Sequence, residues 1–322
     1  LVCSFTDPHD PYACPKEHWD RYSQASINLP SVGTLPDEKQ DAHSLRLRTA
    51  YQADVTKITD EDIKNARRAY YGQISYIDDK IGNLLKALDD TGMKEDTIIM
   101  FTADHGDMLG ERGLWYKMSF FEGSARVPLL VHCPQRFASK RVTTPVSLVD
   151  LLPTLLQVSE DAHLQHPADT MDGESLVPLL EQGDQDTTRT VISEFLGEGA
   201  IAPCFMVRRG TYKYIYSQPD PPQLFDLAAD PQELNNLAGN SEYTQIQEDL
   251  HQAVLNHQDP ETVNRQVLES QDRRRLVFTA HMTGKHTPWD FQPMQDASKK
   301  YMRNHLDLND VEGRARIESQ KT

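Results

Sequence analysis

The chain reads as an α/β protein: a sheet flanked by helices, a smaller C-terminal α+β subdomain, and an extended tail. Three observations predict this. Apolar residues recur at helical spacing from about Asp60 to Asp90. Short apolar runs at 97–101 and 127–132 read as strands that follow this helix. From Phe205 the pattern shifts to short strands, Phe205–Arg209 and Tyr212–Tyr216, turning at Gly210. At 322 residues there is room for one large domain and one small one. The divisions fall at 1–190, 191–257 and 258–322.

Leu1–Phe5 reads as a buried strand that runs into the loop Thr6-Asp7-Pro8-His9-Asp10-Pro11-Tyr12. Its two prolines disfavour helix at the residues before them. A domain rarely opens in mid-strand, so the expectation is the C-terminal part of a longer protein, and a missing leader says nothing about the parent. Residues 13–58 are polar and Pro-bearing, which suggests a long surface excursion. The helix that follows carries Ile63, Ala66, Tyr70, Ile74, Ile77, Ile81, Leu84 and Leu88 as one stripe. Thr59 can cap it with Asp62, and Gly92 sits where a C′ glycine would end it.

Ser147–Val158 is expected to be helical, with Pro153 marking a bend or boundary. Val191–Phe195 and Leu224–Leu227 are expected strands. Asp230 and Pro231 suit the N-cap and N1 positions of a short helix. A polar helix spans 241–257. The tail from 258 is poor in apolar residues, apart from Trp289-Asp290-Phe291.

No apolar run approaches the ~20 residues of a membrane helix. The net charge of −16 argues against a nucleic-acid partner. Four cysteines without a C-x-x-C pair, and no N-x-[ST] sequon, fit a reducing, cytoplasmic compartment. G-x-S-x-G, H-E-x-x-H and P-loop motifs are absent, and Gly197-Glu198-Gly199 lacks a strand–helix context.

Asp104-His105-Gly106 follows an apolar strand. Ligand sites in open α/β sheets form outside the carboxyl ends of strands. An Asp with a His offers metal ligation or acid–base chemistry. Neighbours in a continuing strand point to opposite faces, so both reach one ion only if the strand has ended, which Gly106 permits. The plain alternative is a capping Asp beside a solvent-facing His. His9 becomes functional if the first strand lies beside 97–101; otherwise it is polar surface. Lys117 either snorkels over its aromatic neighbours or pairs with a sulfate or phosphate oxygen. Glu194 is a salt-bridge partner or a ligand for a cation. In 122–128, Arg126 is expected to pair internally and Pro128 to set the strand start.

These words together resemble a known family. Phe-Thr-Ala-Asp-His-Gly-Asp, Lys117 thirteen residues after Asp104, and Glu-Gly-Ser-Ala-Arg-Val-Pro-Leu resemble the C-terminal half of the formylglycine-dependent sulfatases. So do Ile-Asp-Asp-Lys-Ile-Gly-Asn-Leu-Leu (77–85) and the segment 224–238. The tail segments 286–298 and 301–308 narrow the resemblance to the choline sulfatases.

The resemblance implies an alkaline-phosphatase-like fold, with 1–190 the C-terminal part of the catalytic domain. It implies that Asp104 and His105 hold a divalent metal, with Ca2+ the first choice and Mg2+ or Mn2+ the alternatives. It places His9 and Lys117 against the sulfate. Glu194, with Trp289 and Asp307, would serve the quaternary ammonium of a small sulfate ester. A trimethylammonium group offers no hydrogen bond and is read by charge and aromatic faces.

The family's nucleophile is a formylglycine made from the cysteine of C-x-P-x-R, and no cysteine here begins that motif: Cys133-Pro134-Gln135-Arg136 is one place out of register. The nucleophile is therefore expected upstream of Leu1. The tail, too polar to order alone, suggests a homo-oligomer. The rival expectations are a phosphonate or phosphate-ester hydrolase of the same superfamily and a non-catalytic, sulfatase-like assembly module.

Overall fold

The computed structural model describes residues 1–22, 27–159, 170–184 and 188–284. In chain order it contains α1 (Lys16–Asp20), α2 (Ala42–Ala50), α3 (Asp60–Asp90), β1 (Ile99–Thr102), α4 (Glu122–Ala125), β2 (Leu129–His132) and α5 (Leu151–Val158). There follow α6 (Val177–Gln182), β3 (Thr190–Phe195), β4 (Cys204–Arg209), β5 (Tyr212–Ser217), β6 (Gln223–Asp226), α7 (Thr244–His257) and α8 (Pro260–Met282). β1 and β2 form an antiparallel pair, with Ile99 opposite His132 and Thr102 opposite Leu129. β3 to β6 form an antiparallel meander in sequence order. No helix among the described residues is long and apolar enough to cross a membrane.

The long helix forms where its period places it. Thr59 Oγ1 accepts from the Asp62 amide, and the Asp62 carboxylate accepts from the Thr59 amide at 2.8 Å, closing a capping box. Gly92 follows the C-cap at φ +70°. Its apolar stripe is only partly covered: Ile74, Leu84 and Leu85 are exposed, while Ala69, Gly72 and Gln73 are the buried positions. Close packing of the N-terminal loop explains this, because Cys14 lies where a Cβ on Gly72 would stand.

Other expectations are corrected. Leu1–Phe5 is exposed and forms no strand, since an isolated extended segment has no ladder partner. Residues 13–58 are not a plain excursion. α2 forms there, capped by Asp41, which accepts from the Ser44 amide at 3.0 Å, and it buries Leu47. The short helix expected at Asp230 is absent. Glu233 takes φ +57°, which ends any helix, and Asp230 accepts from the Asn235 amide at 2.7 Å, closing a turn. Pro153 lies in the first turn of α5, after a 3-10 turn at Leu148–Asp150, and so marks a boundary. The segment after 258 begins with the unforeseen helix α8. Asp259 caps it, Pro260 opens it, and Val263 joins the core.

The meander has two working faces. Phe205, Val207, Tyr214 and Leu224 pack with Leu250 and Val254 of α7. The alternate residues Ile215 and Phe225 face Leu47, Met108, Leu114 and Phe121. Period-two alternation thus sends one side to the helices and the other to the loop between β1 and α4. Phe121 and Phe225 meet at a ring-centroid distance of 6.3 Å.

Phe225→Ala should cost about 3–5 kcal/mol of unfolding free energy, because Phe225 is 2% exposed. Denaturant titration should show the midpoint fall, with the slope unchanged if only packing is lost.

Candidate active site

The loop between β1 and α4 holds Asp104, His105 and Lys117, and the Pro-bounded loop before α1 supplies His9. The first strand expected beside 97–101 does not form, yet His9 still arrives at the site. Its carbonyl accepts from Gln73 Nε2 of α3 at 3.1 Å, and the same amide donates to Asp7 Oδ1 at 3.0 Å. Gln73 is 1% exposed, so these bonds have no competing water.

Lys117 Nζ donates to His9 Nε2 at 2.5 Å. The tautomer follows from the other nitrogen. His9 Nδ1 lies 2.7 Å from the Asp10 carbonyl oxygen, which can only accept. Nδ1 therefore carries a proton, and Nε2 presents a lone pair to the ammonium. The His9 and His105 rings meet edge-on at 5.9 Å.

Asp104 and His105 do converge. Asp104 Oδ2 and His105 Nε2 are 3.6 Å apart. The His105 amide donates to Asp104 Oδ1 at 3.0 Å, and His105 Nδ1 donates to the Gly106 carbonyl at 2.8 Å. The second bond leaves Nε2 as a lone-pair donor facing a carboxylate oxygen, an arrangement that a cation between them satisfies. A backbone carbonyl on the far nitrogen is also the usual partner of a metal-bound imidazole. The Asp104 side chain is 87% exposed, open towards further ligands. Among the described residues no group of three or more His, Cys, Asp or Glu could hold a metal ion.

β1 ends at Thr102, and Gly106 packs directly on α4. A Cβ on Gly106 would stand 2.2 Å from the Gly123 carbonyl oxygen, and its amide donates to the Ser124 carbonyl at 2.7 Å. Lys117 is flanked by two left-handed non-glycine residues, Tyr116 at φ +63° and Met118 at φ +74°. Such positions cost about 1–3 kcal/mol each and persist where the surroundings over-determine them. Here the Tyr116 amide donates to Asp107 Oδ1 at 3.1 Å, and its carbonyl accepts from the Met108 amide at 2.8 Å. The Met118 carbonyl accepts from His43 Nε2 at 2.7 Å.

Sequence reasoning missed Asp107, Tyr12 and Gln73. Tyr12 Oη donates to Asp107 Oδ2 at 2.8 Å, tying the His9 loop to the Lys117 loop. Asp107 Oδ1 also accepts from the Leu109 amide at 2.9 Å. Burial pushes the Asp107 carboxyl up from its usual range, and these three donors pull it back in part. Burial, and then the adjacent carboxylate, push the Tyr12 hydroxyl far up, so it remains a donor. The signals were a second carboxylate two residues beyond His105 and a glutamine within an otherwise apolar helix face.

Glu194 is not brought to this cluster. It pairs with Phe205 across β3 and β4, and directly opposed residues share a sheet face. That face packs on α7, away from the site loop. Its carboxylate accepts from His257 Nε2 at 2.7 Å and from Gln258 Nε2 at 3.1 Å. Trp289 and Asp307 lie outside the described residues. Arg126 approaches Glu122 to 3.8 Å and is largely exposed, a weak form of its expected internal pairing.

With this geometry in hand, the chain can be set against known proteins. Residues 1–161, half of the chain, match the model described as sulfatase. Residues 110–260 match the C-terminal model of N-sulphoglucosamine sulphohydrolase, and 265–317 match the C-terminal model of choline sulfatase. A choline-sulfatase of Rhizobium meliloti (strain 1021) is 43% identical over 320 residues, covering 97% of this chain and 61% of that protein. Arylsulfatase K of Gallus gallus is 37% identical over 233 residues, covering 69% of this chain and 42% of its own length. The chain thus spans about two fifths to three fifths of these relatives. The crystal structure of a phosphonate monoester hydrolase of Agrobacterium radiobacter superposes with a TM-score of 0.65 at 27% identity, covering 79% of this chain and 55% of that one.

Tyr12→Phe leaves a buried carboxylate oxygen without its donor. It should cost about 1.5–3 kcal/mol in thermal or denaturant unfolding, with no change in the fold by circular dichroism. Gly106→Ala forces the loop off Gly123. It should cost about 1–3 kcal/mol in denaturant unfolding.

Proposed function

The chain belongs to the sulfatase family and has the alkaline-phosphatase-like α/β fold, and from that premise we propose that the whole protein hydrolyses choline-O-sulfate to choline and sulfate. The observation that carries the reading is the meeting of Lys117 Nζ with His9 Nε2 beside the Asp104–His105 pair. A cation, an imidazole and two metal-ligand groups within one opening suit an anionic ester. The 43% identity to a choline-sulfatase and the choline-sulfatase C-terminal match favour choline as the alcohol.

Lys117 offsets charge on a non-bridging sulfate oxygen as a point charge. His9, fixed through Nδ1 on the Asp10 carbonyl, holds its Nε2 towards the same oxygens. As the nucleophile's oxygen bonds to sulfur and the ester S–O bond breaks, a proton on the Lys117–His9 pair passes to the leaving oxygen, which releases choline with a neutral hydroxyl and its permanent ammonium charge. Asp104 Oδ2 and His105 Nε2 would hold a divalent ion, Ca2+ by family resemblance, which supplies Lewis-acid stabilisation of the sulfate oxygens. The nucleophile is proposed to be a formylglycine in a preceding segment of the whole protein. The trimethylammonium group is proposed to meet aromatic faces and carboxylates from Trp289 and Asp307. Glu194 would join them only where its pairing with His257 is exchanged. We further propose a cytoplasmic, homo-oligomeric enzyme, following the thiol usage and the polar tail.

A second reading, phosphonate-ester hydrolysis, is favoured by the structural likeness to a phosphonate monoester hydrolase. Steady-state kinetics of the whole protein on choline-O-sulfate and phenyl phosphonate separate the two. The proposal expects the sulfate ester to have the higher kcat/KM, and the reverse order would replace it. Lys117→Ala and His9→Ala should each lower kcat by about 100-fold or more. Chelation should abolish turnover, and Ca2+ should restore it.

A further inference from the structure

The meander contributes a buried cation to the site's support. Lys213 stands in β5 between Tyr212 and Tyr214, yet it is 1% exposed. It lies on the same sheet face as Ile215 and Phe225, the face turned to the site loop. Its Nζ donates to the Phe120 carbonyl at 2.8 Å and to Glu233 Oε1 at 2.8 Å, and forms an ion pair with Glu122 Oε1 at 2.5 Å. The second oxygen of Glu233 accepts from the Glu122 amide at 2.8 Å. Glu233 itself sits at φ +57°, a position that directs its side chain inward at the cost of backbone strain. Arg112 completes the cluster: it donates to the Glu233 carbonyl at 2.9 Å and lies 4.0 Å over the Phe121 ring.

Four of these contacts end on residues 120–122: the bond to the Phe120 carbonyl, the Arg112 contact with the Phe121 ring, and the ion pair and amide bond of Glu122. That segment begins three residues after Lys117 and opens α4, whose Gly123 and Ser124 carry Gly106 and hence the Asp104–His105 pair. We propose that Lys213 is a positioning residue: through Glu122 and Glu233 it fixes the segment from which both the sulfate-facing lysine and the metal-ligand pair are hung. A buried lysine with two carboxylates is poor value as stability alone, because apolar packing of similar volume does as well or better. Two directed hydrogen bonds and an ion pair on one segment, by contrast, define a position that dispersion forces leave loose. The C-terminal meander is therefore part of the active site's scaffold without touching substrate.

The inference rests on the sulfatase reading for its kinetic readout, and a second readout stands apart from it. In the whole protein, Lys213→Met paired with Glu233→Gln removes the cation and its buried carboxylate together, and the partly exposed Glu122 keeps Arg126 as its cationic neighbour. We expect kcat on choline-O-sulfate to fall by about 100-fold with KM nearly unchanged, measured well below the variant's melting temperature. Amide hydrogen exchange over 104–125 should quicken while exchange in α7 stays as in the parent. Wild-type kcat and wild-type protection in the folded double variant would overturn the proposal. Should that variant not fold, Glu122→Ala decides, since it removes the side-chain ion pair between α4 and Lys213 and leaves Lys213 neutralised by Glu233. It should lower kcat about tenfold at constant KM, and an unchanged kcat overturns the proposal. If the parent protein turns over neither sulfate nor phosphonate ester, the functional reading fails, while faster exchange over 104–125 in the variants still upholds the positioning role.

Discussion

A single half-buried carboxylate ties the candidate site together. Asp107 takes hydrogen bonds from Tyr12 on the N-terminal loop and from the amides of Leu109 and Tyr116 on its own loop. It backs the direct Lys117–His9 bond with a second tie between the two loops, which otherwise hang from different helices. His9 hangs from Gln73 of α3, and Lys117 hangs between Asp107 and His43 of α2. Tyr70, Trp115 and Tyr116 surround Tyr12 at ring distances of 6.2–6.4 Å. That collar dries the bond and strengthens it, since a hydrogen bond to a charged group gains in a low local dielectric. The same dryness raises the carboxyl, so the donors are a condition of its burial.

The rest of the molecule serves that anchor from the other side. The meander turns one face to α7 and α8 and the other to the loop that carries Lys117. A two-faced antiparallel sheet of this kind is a rigid plate, and the apolar contact of Phe225 with Phe121 gives it adhesion. Adhesion of this type is non-directional. Direction comes from the charged contacts of Lys213 and Glu233, which is why a lysine stands among aromatic strand residues. The sheet geometry also explains why Glu194 lies apart: its register with Phe205 fixes it to the helix side.

Much of this was legible in the sequence. The period of α3, its Thr59–Asp62 cap and the Gly210 hairpin rest on local rules, and local rules survived. Asp104, His105, Lys117 and His9 were legible as residue types beside a strand end, and the structure does gather them. What stayed hidden depends on contacts distant in sequence. Leu1–Phe5 has the pattern of a strand, but a strand needs a partner. Pro231 at a plausible N1 position could not outweigh Glu233, whose left-handed backbone is set by its bond to Lys213 in β5. α8 is polar on most positions, and only its first turns, through Val263, meet the core. Glu194 could not be placed from sequence, because which side of a strand faces which layer depends on register. Asp107 was visible as a letter and invisible as an anchor, since its partner lies ninety-five residues away at Tyr12.

We propose that an ion and an oxyanion share one opening formed by residues 9, 104, 105 and 117. A crystal structure of the whole protein grown with Ca2+ and sulfate tests it directly. The account predicts the ion bonded to Asp104 Oδ2 and His105 Nε2, and a sulfate oxygen within hydrogen-bond reach of Lys117 Nζ. An ion bound elsewhere, with those two atoms uncoordinated and Lys117 turned away from the anion, would contradict it.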